Sequence, residues 1–518
     1  MSETANRIVR NTGYLYARLG ISMFISLWTT RLVLNALGSS DFGIYSVVGG
    51  TIGMLSFLNI SMSASTQRFM SYAEGRGNLG NKVEIFNVSF ALHTVIGFLT
   101  AIILAIAGYF FFYEYLDIPS DREFAAKVVF TSLIVSSLIK VINVPYSAIL
   151  NAHENMKFYA VIGVVESFSK LLIAFVCFYY LGDRLILYGI LMTVLPLITY
   201  VIMRQYCRGH YNECIIDYSK MNNFRLMKEM SSFAGWRLLE SSSTLFTMNG
   251  VSILLNIYGG VIVNAAHGIA NQLQGQLLAF ASTMQKALNP VLVKNQGSGR
   301  GDLMLTAATT GNKLSYCLFA VLAFPMMIEA PYILSLWLGN VPEFTVLFTR
   351  LLLIRTLLWQ ICISYETCIA ATGEIKAYSI LASVIYVAPL LTCFFLYKYG
   401  VPIFTIYILL IIMMLFRMSN ILYFCKQKCG LDVIGTVFKL LFPCLVVSIL
   451  IILFISLPHF VLNESFFRLI IIIVSCLLLF PFISFLILFD KNEKKVILRT
   501  IKSCKYVIHD KIMYSNYS

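Results

Sequence analysis

Residues of opposite charge stand in pairs inside stretches of the sequence that are otherwise apolar. Glu166 and Lys170 are four residues apart and Arg237 and Glu240 are three apart, so in a helix each pair shares one face. A buried ammonium or guanidinium group can bind an anion, and both groups suit phosphate. A buried carboxylate can neutralise such a base or carry a coupling cation. The spacing of the two pairs is compatible with both roles.

A third polar group occupies a later apolar stretch. Arg355, Trp359 and Glu366 fall within about 40° of one another at a helical rotation of about 100° per residue, which predicts one polar stripe with an aromatic side chain. Lys140 and Asn143 occupy a comparable position in an earlier stretch. Basic residues at this depth in two separate parts of the chain favour a shared, water-filled cationic cavity.

These residues must be positioned by helices that cross a membrane. The 518-residue chain is 58% hydrophobic and 12% charged, with a mean hydropathy of +0.79, whereas soluble domains carry roughly 25% charged residues. The apolar residues form continuous blocks of about 20 or more, long enough to cross a hydrocarbon core of about 30 Å as helices. Lipid offers the backbone no hydrogen-bond partners, and the blocks do not alternate as barrel strands do. The predicted fold class is therefore an all-α polytopic membrane protein.

Fourteen transmembrane helices are predicted, and the basic residues between them indicate their orientation. With the N-terminus inside, the inside segments hold 26 of the Lys and Arg residues, while the outside loops hold only Arg122, Arg184 and Lys398. Both termini are therefore predicted to be cytoplasmic, and the net charge of +14 is a topology signal rather than a sign of nucleic-acid binding. The predicted spans are 12–34, 41–62, 85–112, 124–150, 156–180, 185–203, 230–256, 261–286, 313–338, 346–371, 377–397, 402–424, 433–457 and 466–489.

Short sequence matches indicate an internal repeat. "GRGNL" (75–79) matches "GRGDL" (299–303) at an offset of 224, and "LNALG" (34–38) matches "LNIYG" (255–259) at 221. "PYSAILNAHENMKFYAV" (145–161) aligns with "SYETCIAATGEIKAYSI" (364–380) at 219. Helices 1–6 are thus predicted to repeat, in the same orientation, as helices 7–12, with the substrate path between the two halves. The predicted organisation is an N-lobe at 1–204, a cytoplasmic inter-lobe loop at 205–229, a C-lobe at 230–424, helices 13 and 14 at 425–489, and a basic cytoplasmic tail at 490–518 that forms an interfacial helix.

The depth of each base within its predicted span separates two groups. A charge that faces lipid at the bilayer centre costs at least about 2.5–3.5 kcal/mol, so a deep base should face a cavity or a partner. Bases near the helix ends are instead predicted to extend toward the headgroups, and these are Arg31, Lys127, Arg350, Arg417, Lys439 and Arg468.

The sequence shows no catalytic residue set and no cofactor-binding motif. The ATP-binding pattern G-x-x-x-x-G-K-[ST] does not occur, and no cofactor is predicted. Cys207, His210 and Cys214 offer metal ligands, but at an unspecific spacing, and no metal site is predicted. The tripeptide from Arg300 to Asp302 falls on a predicted inside loop, so it is not interpreted as an adhesion motif.

The segment "RLVLNALGSSDFGIYSVVGG" (31–50), together with the organisation of six, six and two helices, resembles the multidrug/oligosaccharidyl-lipid/polysaccharide (MOP) exporter superfamily. Within it, the chain looks most like the polysaccharide-biosynthesis branch, whose members flip lipid-linked O-antigen or capsule units. The resemblance implies an alternating-access exporter of the bacterial inner membrane that moves a polyprenyl-pyrophosphate-linked oligosaccharide and is not an enzyme. It implies membrane lipids as further partners, H⁺ or Na⁺ as a coupling ion, and a monomer.

Site roles follow from the intramembrane charges, because the family has no fixed sugar-binding motif. The bases predicted to bind the pyrophosphate and acidic sugars are Lys140, Lys170, Arg237 and Arg355. Coupling or charge pairing is predicted for Glu166, Glu240 and Glu366, and glycan contact for Trp359 and Asn143. The alternatives are a cation-coupled multidrug or small-metabolite antiporter of the MATE type and, in another class, an integral-membrane polysaccharide polymerase or acyltransferase.

Overall fold

The protein is almost entirely helical. The computed structural model describes residues 2–53, 56–112, 118–495 and 497–498, and these ranges contain no β-strand. The predicted interfacial helix in the basic tail lies outside the described residues from residue 499 onward. In chain order the helices are α1 (Ser2–Gly53), α2 (Ser56–Arg76), α3 (Leu79–Phe110), α4 (Glu123–Ile142), α5 (Val144–Ala152), α6 (Met156–Tyr179), α7 (Arg184–His210), α8 (Phe224–Gly297), α9 (Gly301–Ile328), α10 (Ala330–Leu338), α11 (Thr345–Gln360), α12 (Ile363–Thr372), α13 (Lys376–Tyr397), α14 (Thr405–Cys429), α15 (Val433–Thr436), α16 (Phe442–Val461) and α17 (Phe466–Ile487).

The number of membrane crossings agrees with the predicted fold class. Within the described ranges, 11 helices are long and apolar enough to span a membrane, or 12 if the bent pair α11 and α12 is one span. The apolar stretch 7–50 of α1 has 44 residues and α8 has 74, whereas one crossing needs about 20. Each is interrupted by a glycine with non-helical backbone angles, Gly38 and Gly260. Two crossings in each of these helices bring the total to the fourteen predicted spans.

The backbone repeats along the chain as the sequence predicts. Residues with positive φ recur at an offset of 222 as Gly38 with Gly260 and Gly77 with Gly299. At an offset of 219, the fully buried Tyr146 matches the fully buried Tyr365. The match of "GRGNL" to "GRGDL" at 224 is therefore two residues out of register, because Gly77 corresponds to the first glycine of "GRGDL". The helices also continue beyond the predicted spans that end at 62 and 286, since α2 extends to Arg76 and α8 to Gly297.

The chain forms two compact units. The N-unit comprises Asn11–Ser241 and Val293–Gly299, and the C-unit comprises Met1–Arg10, Ser242–Leu292 and Arg300–Ser518. In the N-unit, Tyr146 packs edge-on against Phe86, Phe90 and Tyr200. In the C-unit, the ring of Phe348 stacks on Tyr407, whose centroid is 4.3 Å away.

The last two crossings, α16 and α17, are fastened to α9 within the C-unit. Tyr316 Oη of α9 donates a hydrogen bond of 3.0 Å to the Cys444 carbonyl of α16. Arg468 Nη2 of α17 lies 2.8 Å from Oε2 of Glu329, which is fully buried at the end of α9. The prediction that Arg468 extends toward the headgroups is therefore wrong. Its buried carboxylate partner holds the guanidinium inside the protein.

Candidate functional site

Three of the predicted site residues come together in the N-unit. Helix α6 is regular through Glu166 and Lys170, so the two lie one turn apart and form a salt bridge of 2.9 Å. Lys140, near the end of α4, interacts electrostatically with both of them. Lys140 is exposed and forms no hydrogen bond or salt bridge with the described residues. The group contains two bases and one carboxylate, and its excess charge is therefore positive.

Asn143 lies at the break between α4 and α5, one turn from Lys140. Its Nδ2 atom is 3.3 Å from the Met203 sulfur, while its buried Oδ1 has no hydrogen-bond partner among the described residues. An unsatisfied buried acceptor is costly unless a ligand or water meets it. Asn143, which is predicted to contact the glycan, therefore lies beside the bases of the N-unit.

Arg237 and Glu240 form the predicted pair on α8. Arg237 Nη1 donates to Glu240 Oε2 at 3.0 Å, and the carboxylate is largely buried. This salt bridge neutralises both charges. The Arg237 pair therefore has no excess positive charge, unlike the group that contains Lys140.

Glu366 of the C-unit is held by two donors. Trp359 Nε1 donates to Glu366 Oε1 at 3.1 Å across the break between α11 and α12. Arg417 of α14 donates to the same oxygen from Nη2 at 2.8 Å, and its guanidinium carbon lies 4.2 Å from the centre of the Tyr386 ring. Arg417 is buried, so the prediction that it extends to the headgroups is wrong. Its position as the central residue of the 25-residue α14 is the signal that could have identified it.

Arg355 lies on α11 and is separated from the Glu366 pair by a bend. The axis turns by 45° between α11 and α12, so the constant helical rotation assumed for the polar stripe does not extend from Arg355 to Glu366. Arg355 is partly exposed and forms no hydrogen bond or salt bridge with the described residues. Its electrostatic neighbour is another base, Arg417. An accessible guanidinium without a carboxylate is suited to an anion that comes from outside the protein.

The three carboxylates predicted for coupling or charge pairing each contact a base. The pairs are Glu166 with Lys170, Glu240 with Arg237, and Glu366 with Arg417. A carboxylate that already contacts an ammonium or guanidinium group is largely neutralised and attracts a further cation only weakly. The geometry is that of charge pairing.

The three residues considered as metal ligands do not converge. Cys207 and Cys214 are buried, whereas the exposed His210 stacks on Tyr206 at 4.1 Å and bonds the Tyr206 carbonyl through Nδ1. The structure instead brings together Glu74, His153 and Glu213, which are far apart in sequence and were not predicted.

Lysine side chains already neutralise this second group. His153 Nε2 lies 2.5 Å from Glu213 Oε1, and Glu74 binds Lys82 at 2.8 Å and Lys294 at 3.5 Å. Burial alone would raise the pKa of Glu213, but the hydrogen bond from His153, a backbone hydrogen bond and the nearby charges of His153 and Lys82 together outweigh burial, and the pKa is lowered. The pKa of Glu74 is lowered in the same way, mainly by Lys82 against the effect of burial. Two ammonium groups at Glu74 oppose a metal cation, so this group is an ion-pair network.

Comparison with known proteins identifies the fold. No protein-family model and no curated protein sequence matches the chain. A crystal structure of a MATE point mutant matches with a TM-score of 0.72 at 14% identity, covering 82% of this chain and 96% of that one. An outward-facing multidrug resistance MATE transporter of the MOP superfamily matches with a TM-score of 0.67 at 13% identity over the same shares. The chain has the MATE transporter fold.

A third solved structure is also similar to this chain. It is a MOP superfamily transporter from Pyrococcus furiosus, described by a reverse polarity of its binding pocket that suggests a different function. It matches with a TM-score of 0.66 at 15% identity, covering 82% of this chain and 96% of that one.

Proposed function

We propose that this chain is an alternating-access exporter of an anionic, lipid-linked oligosaccharide. The observation that carries the proposal is Arg355, a partly exposed base deep in a predicted span that has no carboxylate partner among the described residues. Lys140 of the N-unit is exposed and forms no salt bridge with the described residues, and the nearby Glu166 is already paired with Lys170. Both bases suit a pyrophosphate group, which is the charged part of a polyprenyl-pyrophosphate-linked sugar.

The charge pairing of the carboxylates supports this substrate class over organic cations. A multidrug antiporter for cations needs a carboxylate that no base neutralises, whereas Glu166, Glu240 and Glu366 each contact a base. In the proposed mechanism, Lys140, Lys170 and Arg355 hold the pyrophosphate and acidic sugars. Arg237, paired with Glu240, contributes less, and Trp359 and Asn143 meet the glycan.

We further propose that the protein lies in a bacterial inner membrane as a monomer with both termini in the cytoplasm, and that H⁺ or Na⁺ drives transport. The proposed lobes are residues 1–204 and 230–424, joined by the loop 205–229 and followed by helices 13 and 14 at 425–489. The orientation has a direct test: a cysteine replacing the exposed Ser298 should react with an impermeant thiol reagent only from the cytoplasmic side. Reaction from outside would contradict the proposed topology.

The substrate assignment is tested in proteoliposomes that contain a fluorescent polyprenyl-pyrophosphate-linked disaccharide. Lys140→Gln and Arg355→Gln should each slow its movement between leaflets about tenfold or more, since a hydrogen bond to a charged group contributes about 1.5–3 kcal/mol. Inorganic pyrophosphate should compete with the probe in the wild type and more weakly in both variants.

The matched controls are Lys157→Gln and Arg31→Gln. Both side chains are exposed and form no salt bridge with the described residues. They should leave transport unchanged. Normal rates in the Lys140 and Arg355 variants would contradict the anion site, and transport of a cationic dye without movement of the disaccharide would favour a multidrug antiporter.

A further inference from the structure

Two repeat-equivalent backbone segments contact each other within the N-unit. The first is the end of α2, and the second is the strap, which we define as Val293–Gly299 at the end of α8. A Cβ atom added to Gly75 would overlap the carbonyl oxygen of Lys294, and one added to Gly297 would overlap the carbonyl oxygen of Tyr72. Only glycine permits backbones to approach this closely.

The contact is reciprocal in the repeat. Tyr72 and Gly75 correspond to Lys294 and Gly297 at the offset of 222 that also relates Gly77 to Gly299. Gly75 faces the carbonyl of Lys294, and Gly297 faces the carbonyl of Tyr72. Each glycine therefore faces the residue three positions before the equivalent glycine of the other repeat. A contact that uses the same atoms from both sides is a specific docking geometry rather than an incidental approach.

A charged lock accompanies the glycine contact. Lys294 Nζ lies 3.5 Å from Glu74 Oε1 and 3.5 Å from Glu154 Oε1. Glu154 is buried and has a φ of 56°, at the turn where the second repeat has Gly373. A non-glycine residue with positive φ costs roughly 1–2 kcal/mol, so the turn is held in a strained conformation that places its carboxylate beside the strap.

The strap has the features of a segment that can detach. Pro290 lies three residues before it, inside α8, and removes a helical hydrogen bond there, while Gly299 with φ of 74° ends it. Lys294 is partly exposed to solvent, and partly exposed salt bridges contribute only about 1 kcal/mol or less each. The residues on both sides of the strap, up to Leu292 and from Arg300, belong to the C-unit.

We propose that the strap is a releasable clasp that docks on the end of α2 and detaches from it as the protein changes conformation. The close contacts at Gly75 and Gly297 and the salt bridges of Lys294 stabilise the docked state. Pro290 and Gly299 are the hinges. On the predicted topology the clasp lies on the cytoplasmic side. The proposal does not depend on which substrate is carried.

Spin labels on Arg76→Cys and Ser298→Cys test the clasp by pulsed electron spin resonance in lipid nanodiscs. Both positions are exposed and flank the contact. To prevent labelling at native cysteines, Cys429 and Cys504 are replaced by Ser in this background. The other cysteines of the described ranges are buried, apart from the partly buried Cys317. The wild type should show a short and a long distance, the docked and released states.

Lys294→Gln should raise the ratio of released to docked protein roughly three- to tenfold, because two salt bridges are lost. Gly297→Ala should shift the distribution further, since its Cβ cannot be accommodated. The controls are Lys286→Gln, an exposed lysine of the same helix that forms no salt bridge with the described residues, and Gly235→Ala, whose added Cβ meets no described atom within 4 Å. Neither control should change the distances.

A single short distance in the wild type that neither variant alters would overturn the clasp and show static packing. So would a shift of equal size in the controls. Lys294→Arg should restore the wild-type distribution, which separates loss of the charge from misfolding. Because no substrate is present, failure of this experiment is independent of failure of the proposed transport function.

Discussion

Arg417, the central residue of α14, donates a hydrogen bond of 2.8 Å from Nη2 to Oε1 of Glu366, the buried residue near the start of α12. This salt bridge joins the two helices, and its two opposite charges compensate each other. Either charge alone would be costly to bury at this position. Arg355, one helix away, has no such partner among the described residues. The C-unit therefore contains one base that stabilises the fold and one that is available to a ligand.

Arg417→Gln should destabilise the protein by about 3–5 kcal/mol, because Glu366 is left buried and unpaired. The measurement is thermal unfolding in detergent, followed by intrinsic fluorescence. Arg355→Gln is the control and should change the midpoint little. The double variant Arg417→Gln with Glu366→Gln should lose less than the two single variants together; additive losses would contradict the pairing.

Glu329→Gln should loosen the last two crossings. The carboxylate is fully buried and binds Arg468 at 2.8 Å, so its removal leaves a buried guanidinium uncompensated. We expect faster hydrogen exchange in α16 and α17 and little change in the N-unit. Glu464→Gln is the matched control, since Glu464 also contacts Arg468 but is 61% exposed. Equal effects from the two variants would contradict the anchoring role.

Gly38→Ala and Gly260→Ala should each destabilise the fold by about 1–3 kcal/mol. Their φ and ψ angles, 78° with 170° and 78° with −179°, lie in a region that only glycine populates readily. Gly43→Ala and Gly268→Ala are the controls, because both sites are helical and open. These should be neutral or slightly stabilising, as alanine favours helix by up to about 1 kcal/mol. The comparison of midpoints tests whether the two bends are required.

Acid should weaken the network around His153. The pKa of Glu213 is lowered in the folded protein, because the hydrogen bonds to its carboxylate and the nearby basic groups together outweigh the effect of burial. The stability it contributes is therefore complete above its unfolded pKa of about 4.3 and is lost as the pH falls through the lower folded value. Glu213→Gln should flatten the decline of the unfolding midpoint between about pH 5 and 3. Replacing the exposed Glu343 by Gln should not, and an unchanged slope in Glu213→Gln would contradict the assignment.

Local and periodic features were predictable from the sequence alone. Continuous apolar blocks must be helices in lipid, and pairs such as Glu166 with Lys170 meet because a regular helix brings residues four apart onto one face. The repeat was also visible, although the glycine matches at 221 and 224 lie one and two residues away from the offset of 222 that relates the positive-φ glycines.

Contacts between distant segments were decided only by the tertiary structure. The partner of Glu366 is 51 residues away, and the group of Glu74, His153 and Glu213 joins three separate segments. The 45° bend between α11 and α12 separated Arg355 from a stripe that a continuous helix would have formed. Helical periodicity fixes the direction of a side chain relative to its own axis. Which base is paired and which remains available depends on how the axes pack, and that is set by the whole fold.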